Sequence, residues 1–418
     1  MFNKEFMDDL TPLRSAISMA YRTDETQAVA NLLQLAELPP ATLSKIHETA
    51  RKLVVDVRKR QLGKVGLDTF LAEYELSSEE GIALMCLAEA LLRIPDTDTI
   101  DKIIKDKIKQ ASWEQHLGKS NSTFVNAATW ALMLTGKLIS PVRGNSSNLS
   151  AVLQRLMQRS SEPLIREAIL QAMRILGRQF VMGQTIQDAL KRAQSLESKG
   201  FRYSYDMLGE EACTAADSEA YYKNYLMAIE AIGESCIGKD VYNAPGISIK
   251  LSAIHPRYEW RNRKQVLQEL TPLVANLAIA AKRWNLGMTI DAEEADRLDL
   301  SLDIFESLAS DPRLTNWQGL GLAVQAYQKR AIYVIDYIID LARRTNRRIM
   351  LRLVKGAYWD SEIKWAQERG FSSYPVFTRK AATDVSYIAC VKRVLAATDV
   401  LYPQFATHNA HTVALITE

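Results

Sequence analysis

Cysteine, histidine and long apolar runs are all scarce. The four cysteines, Cys86, Cys213, Cys236 and Cys390, form no CxxC pair. A disulfide framework is therefore not indicated, and a reduced cytoplasmic chain with unpaired thiols is expected. Asp8 and Asp9 stand where a secretory signal would be apolar. The longest apolar stretch, Gly81–Leu92, is broken by Glu89, and it falls short of the roughly 20 residues that a membrane span needs. Charge of one sign is also lacking. Lys+Arg 52 against Asp+Glu 49 gives +3, which makes no bulk case for nucleic acid or a membrane surface. GxGxxG, Walker and G-x-S-x-G sequences are missing, and Gly319-Leu-Gly321 precedes an expected strand instead of following one.

The chain does have the material for a large core. Of 418 residues, 47% are hydrophobic and 24% charged, ordinary proportions for a globular protein that needs no disulfide or metal to fold. The length suggests two to four domains, or one large domain with an extension. Residues 1–140 read as all helix, an arm followed by an α-domain. Ser77-Ser-Glu-Glu80 forms a capping box ahead of the stripe Ile82, Met85, Leu87, Ala88, Leu91 and Leu92, which Pro95 ends. A further apolar helix is expected near 124–138. A polar linker at 140–150 opens a connecting region, 141–198, with helices near 162–180 and 185–198. Thr185 is the expected N-cap of the second and Gly200 its stop.

From residue 199 to 418 the texture changes. Seven short apolar runs alternate with amphipathic stretches: Arg202–Leu208, Gly246–Ala253, Met288–Glu293, Gly321–Tyr327, Ile349–Lys355, Pro375–Thr378 and Tyr402–Thr407. Such alternation predicts an α/β fold with a parallel sheet covered by helices. An open doubly wound sheet and a (β/α)8 barrel both fit. Seven strands leave a barrel one unit short at Glu418. Polar residues gather at the strand C-termini: Lys250, Asp291 with Glu293 and Glu294, Gln325, Arg352 with Lys355, and Thr407-His408-Asn409. A barrel brings all these ends into one ring, which favours it.

Each group has a plain reading and a functional one. Lys250 is either a strand-end lysine paired with Asp291 or Glu293, or the anchor for a substrate carboxylate. Arg352, flanked by Leu351, Leu353 and Val354, should point into the barrel, where it forms a core ion pair or stabilises an electron-rich centre. Lys355-Gly356-Ala357-Tyr358-Trp359, with Thr378 and Lys380, offers cations, a close-approaching backbone and two rings, a set suited to a phosphate- and ring-bearing cofactor. His408-x-x-His411 is a weak metal signal, because five histidines leave little to complete a set. Arg343–Arg348 reads as a solvated, basic helix end.

Ser204–Glu210, Ser248–Ser252, Ile290–Glu294, Val324–Arg330, Leu351–Asp360 and Phe405–His411 resemble the proline utilization A family, within it the proline dehydrogenase portion. Ala83–Pro95 and Phe124–Trp130 carry the likeness into the helical part. The resemblance implies FAD at the mouth of a (β/α)8 barrel, oxidation of L-proline to Δ1-pyrroline-5-carboxylate, and electron transfer to a membrane quinone. It implies a cytoplasmic protein and leaves peripheral attachment to the membrane's inner face open. By motif, Lys250 would hold the proline carboxylate, Asp291 would order Lys250, and Ala357 and Tyr358 would wall the ring. Arg352 would lie beside the flavin and Gln325 at its edge. Val354, Lys355, Gly356, Trp359, Thr378, Lys380, Thr407, His408 and Asn409 would line the cofactor; no metal is implied. The likeness further implies a longer protein that adds the eighth barrel unit and an NAD-dependent aldehyde dehydrogenase. The first 50 residues hold four basic and seven acidic side chains, so no DNA binding is expected there. A truncated scaffold without flavin and a metal-dependent barrel hydrolase stay as alternatives.

Overall fold

The computed structural model describes residues 11–61, 181–207 and 211–418. The capping box at Ser77, the expected helices near 82–92, 124–138 and 162–180, and the 140–150 linker lie outside the described residues. The chain divides into two compact units, residues 1–53 with 194–418, and residues 54–193.

In the first unit six β/α units follow one another. β1 (Ser204–Tyr205), β2 (Gly246–Ile249), β3 (Gly287–Ile290), β4 (Leu320–Gln325), β5 (Ile349–Val354) and β6 (Leu401–Phe405) form one sheet in the order 1-2-3-4-5-6, every pairing parallel. A doubly wound sheet reverses its order at a switch point; this one does not, so the barrel alternative holds. The expected strand at Pro375–Thr378 is a correction. Within it only Val376 pairs, in an isolated antiparallel bridge to Gln328. The segment bonds to the loop after β4, with Lys329 N donating to Pro375 O and Phe377 N to Tyr327 O. Pro375 has no N–H to give a ladder. β6 therefore pairs directly with β5, leaving six sheet strands among the described residues.

The helices agree closely with the sequence pattern. α1 (Pro12–Met19), α2 (Glu25–Ala36) and α3 (Pro40–Gln61) form the arm. α4 (Ile186–Glu197) leads to the sheet, with Thr185 accepting from Asp188 N. Gly200 adopts φ 96° beyond it, as a helix stop requires. Between strands lie α5 (Ala215–Ser235), α6 (Arg263–Arg283), α7 (Leu298–Ala309), α8 (Ala331–Arg344), α9 (Trp359–Glu368) and α10 (Lys380–Leu395), and α11 (Ala410–Thr417) follows β6.

Side chains of period two divide the sheet into faces. Ile247, Ile249, Met288, Ile290, Leu320, Leu322, Ile349, Leu351 and Leu353 are buried on the helix-facing side; each buried large aliphatic contributes about 1.5–3 kcal/mol. The other face carries Ser248, Thr289, Arg352 and Gln404. Its floor is Met350, admitted by glycines. A Cβ on Gly287 would stand 3.1 Å from the Met350 sulfur, and one on Gly321 3.1 Å from the Met350 Cβ.

The sheet must curl. Arg352 on β5 donates to Ser204 on β1 at 2.9 Å and Ser248 on β2 at 2.8 Å. In a flat sheet β1 and β5 would be roughly 19 Å apart, four strand spacings, well beyond one side chain. Near the other end Tyr242, ahead of β2, stacks on Tyr402 of β6 at 4.5 Å, with Arg348 over both rings. Arg348 is thus not the solvated residue expected. Neither is Arg347, which donates to the carbonyls of Ala309, Leu314 and Asp311 and so caps the end of α7.

The arm is fastened to the outside of this unit. Arg14 of α1 donates to Asp303 at 2.7 Å and to Asp299 O at 3.1 Å on α7. Tyr21 lies over the fully buried Arg330, whose Nη1 donates to Asp299 at 2.7 Å and Nη2 to Ala295 O. Such a cation tolerates burial only because it is paired and fully hydrogen-bonded. Arg330→Met should strip Asp299 of its nearest countercharge and lower stability by roughly 3–5 kcal/mol, read as a fall in the thermal unfolding midpoint of the barrel unit.

Candidate active site

The C-terminal strand ends converge on two neighbouring groups of charges. The first is built on β1, β2, β3 and β5. Lys250 follows β2, its backbone N–H held by the buried Tyr225 hydroxyl at 3.1 Å. Its ammonium lies 3.1 Å from Asp206 and 3.5 Å from Asp291. Asp291 follows β3 and also meets Arg352 Nη1 at 3.2 Å. Arg352 completes its set with Ser248, Ser204, Thr289 and Gln404. Two cations and two carboxylates thus share one mouth, with the serine and threonine hydroxyls beneath them. Lys250 and Arg352 point as the sequence suggested, while Glu293, the other partner considered for Lys250, turns away to Ser252 N and Arg297.

Burial, then the neighbouring Asp206 charge, pushes the Asp291 carboxyl up to about 6 despite Lys250 and Arg352. Tyr358 is pushed up to about 12, first by burial and then by Glu293 and Glu294, so its phenol is neutral and available to pack or donate. Gln325 at the end of β4 is buried and spent at both ends: it donates to Glu293 O at 2.7 Å and accepts from Ala357 N at 3.1 Å. It thereby clamps the loop after β3 to the loop after β5.

The second group lies beyond β5. Lys355 and Lys380 both reach Asp384, at 2.6 and 2.7 Å. Gly356 adopts φ 155°, and a Cβ there would come 2.3 Å from the Tyr327 ring, so only glycine lets the loop pass over that ring. Trp359 is 43% exposed, its Nε1 donating to Phe377 O at 2.9 Å. Thr378 donates through both N–H and hydroxyl to Glu25 of α2. Ammoniums, backbone N–H, hydroxyl and an open indole form a donor set that fits a phosphate- and ring-bearing group.

Beyond β6, Thr407 accepts from Asn409 N, and Asn409 caps α11 by accepting from Thr412 N at 3.0 Å. His408 is exposed just before the cap, whereas His411 lies on α11 with its ring 5.3 Å from that of His47 in α3. The two histidines therefore do not share a helix turn. Among the described residues no three His, Cys, Asp or Glu side chains are grouped to hold a metal.

Three contributors went unnoticed in the sequence. Asp206 follows the two-residue β1 inside the expected Arg202–Leu208 run, where a single acid carried no sign of its role. Asp384 stands four residues after Lys380 on α10, a pairing that helix spacing could have disclosed. Glu25 lies 353 residues from Thr378, and no local pattern links them.

A family model described as proline dehydrogenase matches residues 189–418. The chain belongs to the proline dehydrogenase family. A model described as the proline utilization A proline dehydrogenase N-terminal domain matches 11–58, and one described as the DNA-binding domain of proline dehydrogenase matches 66–180. The latter segment lies outside the described residues, and the charge count that argued against DNA covered only the first 50. Among relatives, the bifunctional protein PutA of Escherichia coli (strain K12) is 53% identical over 99% of this chain and 32% of its own length. PutA of Rhizobium meliloti is 53% identical over 97% of this chain and 32% of its own length. The chain spans about a third of the length of these relatives. Proline dehydrogenase 1 of Bacillus subtilis (strain 168) is 28% identical over 58% of this chain and 68% of its own length. A crystal structure of a Bradyrhizobium japonicum PutA mutant superposes with a TM-score of 0.69 at 46% identity, covering 95% of this chain and 39% of that one.

The elevated Asp291 acid gives a direct test. Its folded value of about 6 lies above the ordinary 3.8. Between those pH values the folded chain keeps a proton that the unfolded chain has lost, so this group's contribution to stability falls as pH rises through that window. The Asp291 carboxyl carbon resonance should titrate near pH 6. Asp206→Asn, which removes a neighbouring negative charge, should move the midpoint downward.

Proposed function

We propose that this chain binds FAD and oxidises L-proline to Δ1-pyrroline-5-carboxylate, with the electrons passing on to a membrane quinone. The observation that carries this reading is the Lys250 ammonium, held at the barrel mouth between Asp206 and Asp291, with its charge acting on Tyr358 of the loop after β5. It supports a carboxylate anchor close to a cofactor-type donor set.

Bound FAD supplies the two-electron acceptor that no side chain provides. Lys250 holds the substrate carboxylate by a charge-assisted hydrogen bond, and Asp291 keeps that ammonium aimed into the mouth. Ala357 and Tyr358 wall the ring and exclude water. Arg352 supplies fixed positive charge where electron density grows, already oriented by its hydroxyl and carboxylate partners. Gln325 holds Ala357 in place through its backbone N–H. Val354, Lys355, Gly356, Trp359, Thr378, Lys380, Thr407, His408 and Asn409 line the cofactor.

Among the described residues no helix is long and apolar enough to cross a membrane. We further propose that the quinone contact is peripheral, from the cytoplasmic side. For a whole protein that contains this chain we propose a second, NAD-dependent aldehyde dehydrogenase activity; relatives such as the Escherichia coli one are named bifunctional.

The chain incubated with FAD should show visible flavin bands after gel filtration, and anaerobic L-proline should bleach them. Lys250→Met should keep the bands and need at least about tenfold more proline, in line with loss of a charge-assisted contact. No flavin bands, or lost flavin with unchanged proline affinity, would contradict the assignment.

A further inference from the structure

In the second charge group the two ammoniums and the Thr378 N–H and hydroxyl are held by carboxylates of the chain itself. Thr378 N–H lies 3.0 Å from each Glu25 oxygen and its hydroxyl 3.1 Å from one of them. Asp384 gives one oxygen to Lys355 and the other to Lys380. We propose that Glu25 and Asp384 are placeholders for an anion: their carboxylates hold the cradle open in the unloaded chain and yield these donors to a phosphate of the incoming cofactor. This rests on the reading of that cradle as the cofactor site.

The placement of Glu25 is not incidental. It is the first residue of α2, whose N-cap Asp24 accepts from Gln27 N at 3.0 Å. The turn before it is fixed to the barrel: Thr23 O accepts from Lys329 at 2.9 Å and from Ser373 at 3.3 Å, and Tyr21 covers Arg330. The arm thus delivers one carboxylate to one backbone N–H. On the receiving side, the bond from Trp359 to Phe377 O fixes the backbone just ahead of Thr378. A fixed donor and a fixed acceptor thus meet.

The exchange is inexpensive. Thr378 and Lys380 are exposed, and Lys355 and Asp384 only half-buried. Burial pushes the Asp384 carboxyl up, but the two ammoniums outweigh it and hold it below the ordinary value, so it is an anion at neutral pH. Exposed ion pairs contribute little net stability. A phosphate brings more charge and more acceptor oxygens to the same donors. While they remain, the two carboxylates repel that phosphate.

The placeholder role predicts opposite effects on the unloaded and loaded states. In the full chain, Glu25→Gln and Asp384→Asn should each lower the unfolding midpoint without ligand. Each should tighten FAD binding, measured by flavin fluorescence quenching, roughly three- to tenfold, the range expected when one like charge is removed near the surface. Riboflavin, which has the ring and no phosphate, should bind both variants as it binds the wild type. Unchanged or weaker FAD binding in both variants, or an equal gain for riboflavin, would overturn the inference while leaving the cofactor reading intact. A wild-type chain that binds no FAD would overturn both.

Discussion

The Arg352 guanidinium is the contact on which the rest of the barrel unit depends. It stands on β5, yet it bonds to Ser204 of β1, Ser248 of β2, Asp291 after β3 and Gln404 of β6. A cation in that position must be surrounded by acceptors or expelled. Supplying those acceptors from strands on both sides is possible only if the sheet closes around it. The polar interior follows: small hydroxyls at the level of Arg352, glycines and Met350 beneath, and most of the large apolar side chains on the face that meets the helices. The strand C-termini, and with them Lys250 and Asp291, are brought together by the same curvature.

Electrostatics at the mouth follows from that convergence. Lys250 and Arg352 are balanced by Asp206 and Asp291, and the balance is uneven, since Asp291 is the buried partner and carries the penalty as a raised affinity for its proton. The second group repeats the arrangement closer to solvent, with Lys355 and Lys380 shared by Asp384. In the proposed function the deep group takes the small carboxylate and the open one a phosphate. The Gln325 amide joins the loops that carry them.

Much of this was legible in the sequence, for identifiable reasons. Parallel strands announce themselves as apolar runs, and five of the six stood out in this way; in four of them the end changes abruptly from Ile, Leu or Val to Lys, Asp, Gln or Arg. β1 was found only in outline, since two residues carry little pattern. Pro375–Thr378 looked like a strand because Val376 and Phe377 are apolar; both are buried, and their backbone is bonded to the loop after β4 and to Trp359. Arg347 and Arg348 were taken for solvent-facing charge because a basic run at a helix end usually is, and sequence shows nothing of the carbonyls of α7 or the Tyr242–Tyr402 stack that receive them. Glu25 was invisible for a more general reason: contacts between the arm and the barrel are set by docking, not by any local period.

The central claim is that Arg352 joins the curled sheet to the redox chemistry. The most direct measurement is the midpoint potential of FAD bound to the wild type, Arg352→Lys and Arg352→Met. A fixed cation beside the centre that gains electrons favours its reduced form. The potential should therefore be lowest in Arg352→Met and intermediate in Arg352→Lys, which keeps the charge but loses the fork of donors. An unchanged or higher potential in Arg352→Met, with flavin still bound, would contradict the account and leave Arg352 as a structural ion pair.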